Sequence, residues 1–229
     1  MKTVGIIGGL GPETTSQFYL QLILKYRKVN PRKRPSILLW SIPMDLAIEE
    51  DLIKRNKGTE RYLPYLTDAA QRLEKGGADF LVIPCNSVHI FIKEIRASVK
   101  IPVLSIVEET ISYLNKNKIN KVVLLATTST VKNNLYQRLF EEKNIVYRIP
   151  DEENQIILSN FINDIVNARA SQNDTQKLMT LLSKLNPGKD ESILLACTDL
   201  QIALKQNADL PVYDTMQILL ESTMRTIGV

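Results

Sequence analysis

One histidine, one tryptophan and two cysteines are all that the 229 residues hold of those types, and each shortage closes off some chemistry. Zinc and His-ligated iron sites draw several ligands from histidine and cysteine, so a chain whose only histidine is His89 is expected to hold no metal. Two cysteines cannot build the disulfide framework of a small secreted domain; they are expected as free thiols in a cytoplasmic protein. No apolar run approaches the ~18 residues needed to span a bilayer. The chain opens directly into a strand-like segment, without the layout of a secretory signal, so no membrane attachment is expected. Charge of one sign is scarce too: 29 basic residues face 25 acidic ones, for a net charge of +4. The one dense basic cluster, Lys25 to Arg34, reads as a solvated loop rather than a nucleic-acid surface. What remains, 44% apolar and 24% charged, is the composition of an ordinary globular protein of one large or two small domains.

Short apolar runs alternate with longer amphipathic stretches. The runs are Thr3 to Ile7, Ser36 to Ser41, Phe80 to Pro84, Val103 to Ile106, Lys121 to Ala126, Ile145 to Ile149, Ile193 to Ala196 and Val212 to Tyr213. Helical periodicity fills the gaps at Thr14 to Lys28, Glu60 to Lys75, Glu108 to Asn115, Asn133 to Lys143, Ile156 to Ala168, Thr175 to Leu185 and Thr215 to Thr226. Strands alternating with helices predict an α/β fold with parallel sheets covered by helices. Functional loops then lie at the carboxyl ends of the strands, where Gly8 to Thr15, Cys85 to His89, Thr127 to Thr130 and Cys197 to Asp199 all fall.

The chain also repeats itself. VGIIGG from Val4 is matched by VVLLAT from Val122, LVIPCNSVH by ILLACTDLQ, and Ile101 to Val103 by Leu210 to Val212. Cys85 follows Gly8 by 77 residues, and Cys197 follows Ala126 by 71. From cysteine to proline the separations are 17 and 14 residues. Three landmarks in one order predict two related α/β halves, the first built from 1–104 plus 211–229 and the second from 105–210, with the thiols meeting across a cleft.

A free cysteine in a strand is ordinarily a core residue. Two of them in equivalent, strand-terminal, polar-flanked positions argue for chemistry instead. A helix starting just after each thiol would favour thiolate, and two facing thiols would titrate as a coupled pair. Such a pair can take a proton from one face of a carbon and return one to the other. A rival reading pairs Cys85 with His89, four residues on, as nucleophile and base, but it leaves Cys197 without a role. The GGLGPETT turn lacks the Gly-Lys-Ser/Thr of a phosphate loop and the GxGxxG of a dinucleotide site. It remains either a tight strand-to-helix turn or a place where backbone N–H groups approach a ligand.

GGLGPETT, PCNSVH, LLATTST and ACTDL, in this order over essentially the whole chain, resemble the aspartate/glutamate racemase family, amino-acid racemases that work without pyridoxal phosphate. The resemblance implies two Rossmann-like domains related by a pseudo-twofold axis, no cofactor, a homodimer, and a two-base mechanism with one cysteine per face. Carried over by position, Cys85 and Cys197 would be the acid/base pair. Asn86, Ser87 and Thr198 would hold the substrate carboxylates, Gly9 and Leu10 would line the site, and Thr127 and Thr130 match the family's threonine loop. The substrate implied is an acidic amino acid, aspartate first and glutamate second. Alternatives are a related isomerase, decarboxylase or hydantoin racemase, and a catalytically silent amino-acid-binding relative. Three departures stand out: CTD where CTE is usual, Ser87 where threonine is commoner, and no arginine in SIPMDLA, where aspartate-specific members carry one. Lys54, Arg55 or Arg61 could supply a cation from the following segment, although each also reads as part of a solvated helix face.

Overall fold

The computed structural model describes residues 1–51, 57–167, 172–185, 187–188, 190–203 and 211–229. In the first half, β1 (Thr3–Gly8) leads into α1 (Pro12–Val29) and β2 (Ser36–Ser41). There follow α2 (Leu46–Glu50), a 3-10 turn (Thr59–Tyr62), α3 (Leu63–Lys75) and β3 (Phe80–Val82). A second 3-10 turn (Ser87–Phe91) runs into α4 (Ile92–Ala97), and α5 (Ile106–Lys116) bridges to the second half. That half comprises β4 (Lys121–Ala126), α6 (Thr128–Lys132), α7 (Gln137–Glu142), β5 (Val146–Arg148) and α8 (Glu152–Val166). The chain continues through α9 (Gln172–Leu185), β6 (Ser192–Ala196), α10 (Leu200–Ala203) and β7 (Val212–Asp214) to α11 (Thr215–Ile227).

The strands form two parallel sheets, ordered β2-β1-β3 and β5-β4-β6-β7. This is the α/β architecture with two parallel sheets that the alternation predicts, and the duplication is visible in it. β1 and β4 are the central strands, β2 and β5 flank them on one side, and β3 and β6 on the other. The fourth position, filled by β7 in the second sheet, survives in the first as a single parallel bridge, Leu81 to Val103. The matching Ile-Pro-Val and Leu-Pro-Val segments therefore occupy equivalent places. β7 hydrogen-bonds to β6 in the second sheet, while α11 just after it packs on α5 and α1. The crossing point expected near Leu210 lies outside the described residues.

Two expected elements differ. The strand predicted over Val103 to Ile106 stops at that one bridge, because the Ser105 side chain accepts the Glu108 N–H and caps α5. The helix predicted over Asn133 to Lys143 forms only as α7, because its first residues make a turn after α6 in which Asn134 sits at φ +50°, in a region that asparagine tolerates better than most residues.

Three apolar clusters hold the fold together. The largest joins both halves: Val4 and Ile6 of β1, Val122 and Leu124 of β4, and Phe18, Ile111 and Leu219 from α1, α5 and α11 are all buried in it. The others cover the outer faces, Leu66, Ala70, Ile83 and Ile95 in the first half and Val123, Leu158, Ile162 and Leu195 in the second. Burying such side chains contributes about 1.5–3 kcal/mol each. Because the shared core clamps the two sheets, it also sets how the carboxyl ends of their strands face one another. No helix among the described residues is long and apolar enough to cross a membrane.

Candidate active site

Each cysteine is placed by a buried strand. Cys197 directly follows β6, whose five residues are all buried, and Cys85 follows the buried run Phe80 to Ile83 after a proline. Both thiols are free and line one cavity of about 410 Å³, its mouth included. The strand-end loops of both sheets contribute: Leu10 after β1, Asn86, Ser87 and Val88 beside Cys85, Thr127 after β4, and Thr198 and Asp199 beside Cys197. Glu49 on α2, Tyr62 at the end of the first 3-10 turn and Ile162 and Val166 on α8 complete the wall. Of the residues expected at the site, Gly9 and Thr130 are not among those lining the cavity.

The duplicated loops are stitched to each other by hydrogen bonds. The Ser87 hydroxyl lies 2.9 Å from that of Thr127 and 3.3 Å from that of Thr130. Thr198 donates to the Pro84 carbonyl at 3.2 Å, so the second cysteine loop is pinned beside the first. The Asn86 amide is committed within the protein: its Oδ1 accepts from Tyr136 at 2.5 Å and its Nδ2 donates to Thr215 at 3.0 Å. Asn86 therefore locks the first half to the second from the cavity wall. Thr130 acts from behind, its backbone N–H donating to the Thr127 hydroxyl at 3.2 Å.

Gly9 is a backbone requirement. It sits at φ +86°, its N–H donates to Thr15 at 3.0 Å, and a Cβ there would lie 2.6 Å from the Ile42 nitrogen and 2.7 Å from the Ile42 oxygen. Neither neighbour is a side chain that can swing aside. Gly9→Ala is expected to destabilise the fold by about 2–4 kcal/mol through strain and overpacking, read as a lower urea midpoint with an unchanged m-value.

The thiols are not poised as the helix-start argument predicts. Burial in the cleft and the Asp199 carboxyl push Cys85 up to about 12, against the lowering effect of the Val88 and Ser87 N–H groups. Burial also raises Cys197 well above the usual thiol value, with Asp199 and Cys85 adding to it. The turn after Cys85 is a short 3-10 helix, whose few aligned peptides cannot offset the loss of water around the sulfur. Both residues are therefore held as thiols. The Cys197 thiol donates to Asp199 Oδ2 at 3.6 Å, and Thr14 donates to Asp199 Oδ1. Burial raises Asp199 itself. On the other wall, burial first and then the charges of Asp199 and Glu13 raise Glu49 to about 7.

His89 is no partner for Cys85 in catalysis. It is 1% exposed, and its Nε2 accepts the Ile106 N–H at 3.1 Å, so the proton sits on Nδ1, which donates to the Cys85 carbonyl at 2.8 Å. Both nitrogens brace backbone, and burial holds the ring neutral with a pKa of about 4. The nucleophile-and-base reading of Cys85 and His89 is excluded by this geometry.

Sequence patterns missed Asp199, Glu49 and Tyr62. Asp199 had a signal, since it belongs to the second cysteine motif. Glu49 lies on a five-residue helix whose only mark is Asp45, which caps it by accepting the Ala47 N–H at 2.8 Å. Of the cations considered for the side-chain carboxylate, Arg61 pairs with Asp51 at 2.7 Å and does not line the cavity, and Lys54 and Arg55 lie outside the described residues. Among the described residues, no lysine, arginine or histidine lines the cavity. No cluster of histidine, cysteine and carboxylates among them is arranged to hold a metal ion.

The family model described as Asp/Glu/hydantoin racemase matches residues 7–223. The broad specificity amino-acid racemase RacX of Bacillus subtilis (strain 168) is 29% identical over 232 residues, 97% of this chain and 97% of its own. Among solved structures, an aspartate racemase of Picrophilus torridus aligns with a TM-score of 0.80 at 25% identity, covering 100% of this chain and 95% of that one. A glutamate racemase of Francisella tularensis subsp. tularensis SCHU S4, in complex with D-glutamate, shares the fold with a TM-score of 0.68 at 15% identity, over 99% and 81% of the two chains.

Proposed function

From the premise that this chain belongs to the Asp/Glu/hydantoin racemase family, we propose that it racemises amino acids by exchanging the α-proton between Cys85 and Cys197. One observation carries the reading: two thiols from equivalent ends of two related sheets open on the same cavity. One thiolate removes the α-proton, the opposing thiol protonates the planar intermediate from the other face, and the pair keeps its proton count. Starting from two thiols, one proton must first leave. The substrate's α-ammonium supplies positive charge that lowers the cost of that ionisation. Backbone N–H groups of Ser87 and Val88 stabilise sulfur charge at Cys85, and the Asp199 N–H does so at Cys197. The Ser87 and Thr127 hydroxyls at the cavity wall are the proposed donors to the α-carboxylate, on which negative charge grows as the proton leaves. Asp199 holds the Cys197 S–H in one orientation.

Aspartate first and glutamate second is the substrate order implied by the resemblance, and the broad-specificity relative widens it. A silent binding protein would not need opposed thiols, which argues against that alternative. Incubating the protein in heavy water with single enantiomers of a panel of amino acids tests the reaction. The expected result is α-deuteration together with appearance of the opposite enantiomer. Tight binding by calorimetry with no α-deuteration of any amino acid would overturn the proposal.

A further inference from the structure

Among the described residues, the charged groups of the cavity walls are all acidic, the wrong sign for a dicarboxylic substrate. Glu49 and Asp199 are 7% and 8% exposed, and both line the cavity with the two thiols. Asp199 already accepts hydrogen bonds from Thr14 and Cys197. Glu49 stands with the Tyr62 phenol, which its charge reaches. Tyr62 is 1% exposed, and its hydroxyl has no hydrogen-bond partner among the described residues. An unpartnered buried hydroxyl costs about 1–3 kcal/mol and is rare enough in a folded protein to need an explanation. A ligand group placed between Glu49 and Tyr62 supplies one. That group has to donate hydrogen bonds to a carboxylate, and positive charge strengthens each of them. A second carboxylate in the same place would be repelled by ionised Glu49 and could enter only with Glu49 protonated, whereas a cation favours the ionised form.

We propose that Glu49 and Tyr62 form the side-chain subsite and select a cationic side chain, so that amino acids of the lysine, ornithine and arginine class are racemised in preference to aspartate and glutamate. This rests on the racemase reading and names the substrate class for the same cleft, in place of the acidic one implied by the resemblance. Lysine and norleucine differ at the chain terminus by the ammonium group, so their comparison isolates the subsite from whatever holds the α-carbon. Removing a matched partner from a site built for hydrogen bonding discriminates far more than removing a methylene.

The test measures kcat/KM by chiral chromatography for L-lysine, L-norleucine and L-glutamate with wild type, Glu49→Gln and Tyr62→Phe. Wild type is expected to prefer lysine over both others by about 10- to 100-fold, the range of a charge-assisted pair. Glu49→Gln is expected to bring the lysine-to-norleucine ratio close to one. Tyr62→Phe lowers the same ratio by less and, having removed an unsatisfied hydroxyl, leaves the melting temperature no lower than that of wild type. Faster turnover of glutamate than of lysine by wild type overturns the subsite and leaves the racemase reading intact. So does an equal loss for lysine and norleucine in Glu49→Gln, which would put Glu49 on the α-ammonium. If no amino acid exchanges its α-proton, calorimetric titration decides separately: lysine binding tighter than norleucine and glutamate, lost in Glu49→Gln, upholds the subsite while the racemase reading fails. Absence of that preference in binding overturns the subsite too.

Discussion

Serine in place of Cys85, or of Cys197, is expected to lower racemisation by about 10²–10⁴-fold, the range that a positioned general acid or base contributes. The substitution keeps the shape of the side chain and the contacts of its strand but exchanges a thiol for an alcohol too weakly acidic to give an anion near neutral pH. The two variants should also fail differently. Each retains one thiol on one side of the α-carbon, so each should wash deuterium into one enantiomer while producing little of the other. The enantiomer that exchanges should reverse between Cys85→Ser and Cys197→Ser. Chiral chromatography coupled to mass spectrometry of the α-position reads both results. A single variant with turnover close to wild type would eliminate the two-base scheme. The pH profile adds a sign. Because burial pushes Cys85 up to about 12 and raises Cys197 as well, the free protein must lose a proton to become active. The value of kcat/KM is therefore expected to rise with pH above neutrality, where an unperturbed thiol of pKa ~8.5 would already be levelling off near pH 9.

A second large effect is expected in stability and belongs to His89. Burial lowers its pKa from 6.5 unfolded to about 4 folded, so the unfolded chain binds a proton that the folded one refuses. Between those values stability falls as pH falls, because the unfolded state carries more protons. Above pH 6.5 the term is absent, and below pH 4 it is complete. The shift corresponds to about 3 kcal/mol in full and about 2 kcal/mol at pH 5. His89→Gln should lose stability at neutral pH, since the Ile106 N–H and the Cys85 carbonyl lose an exact partner, yet it should lose less than wild type on acidification. Urea unfolding of both proteins at pH 7.5 and pH 5 gives the comparison. Equal acid sensitivity in the two would show that His89 is not the group being titrated.

The racemase family was legible because its signals are contiguous. A run of apolar residues ending in Cys-Asn-Ser or Cys-Thr-Asp states both a buried strand and what stands at its end, and strand ends are where parallel α/β folds place their functional groups. The repeat was legible for the same reason, down to the Ile-Pro-Val segment that the first sheet keeps as one bridge to Leu81. Less visible were features that depend on who faces whom. Asn86 reads as a substrate ligand in its motif, yet Tyr136 and Thr215, 50 and 129 residues later, take up its amide. Gly9 reads as a wall of the site, yet the backbone of Ile42 is what dictates it.

From the sequence alone follow the two-sheet α/β architecture, its internal duplication and the meeting of two thiols, because each is written in local patterns that fold in place. The protonation of those thiols and the charge of the cleft were decided only by the tertiary structure. A pKa sums burial and charge over all neighbours in space, and here those neighbours are Glu49, Tyr62 and Asp199, brought from α2, the first 3-10 turn and the loop after β6. Helix-start logic predicts a thiolate and family resemblance predicts an acidic substrate. Packing has set the Asp199 carboxyl against both thiols in a poorly hydrated cleft, and it has left the buried Tyr62 hydroxyl without a partner among the described residues.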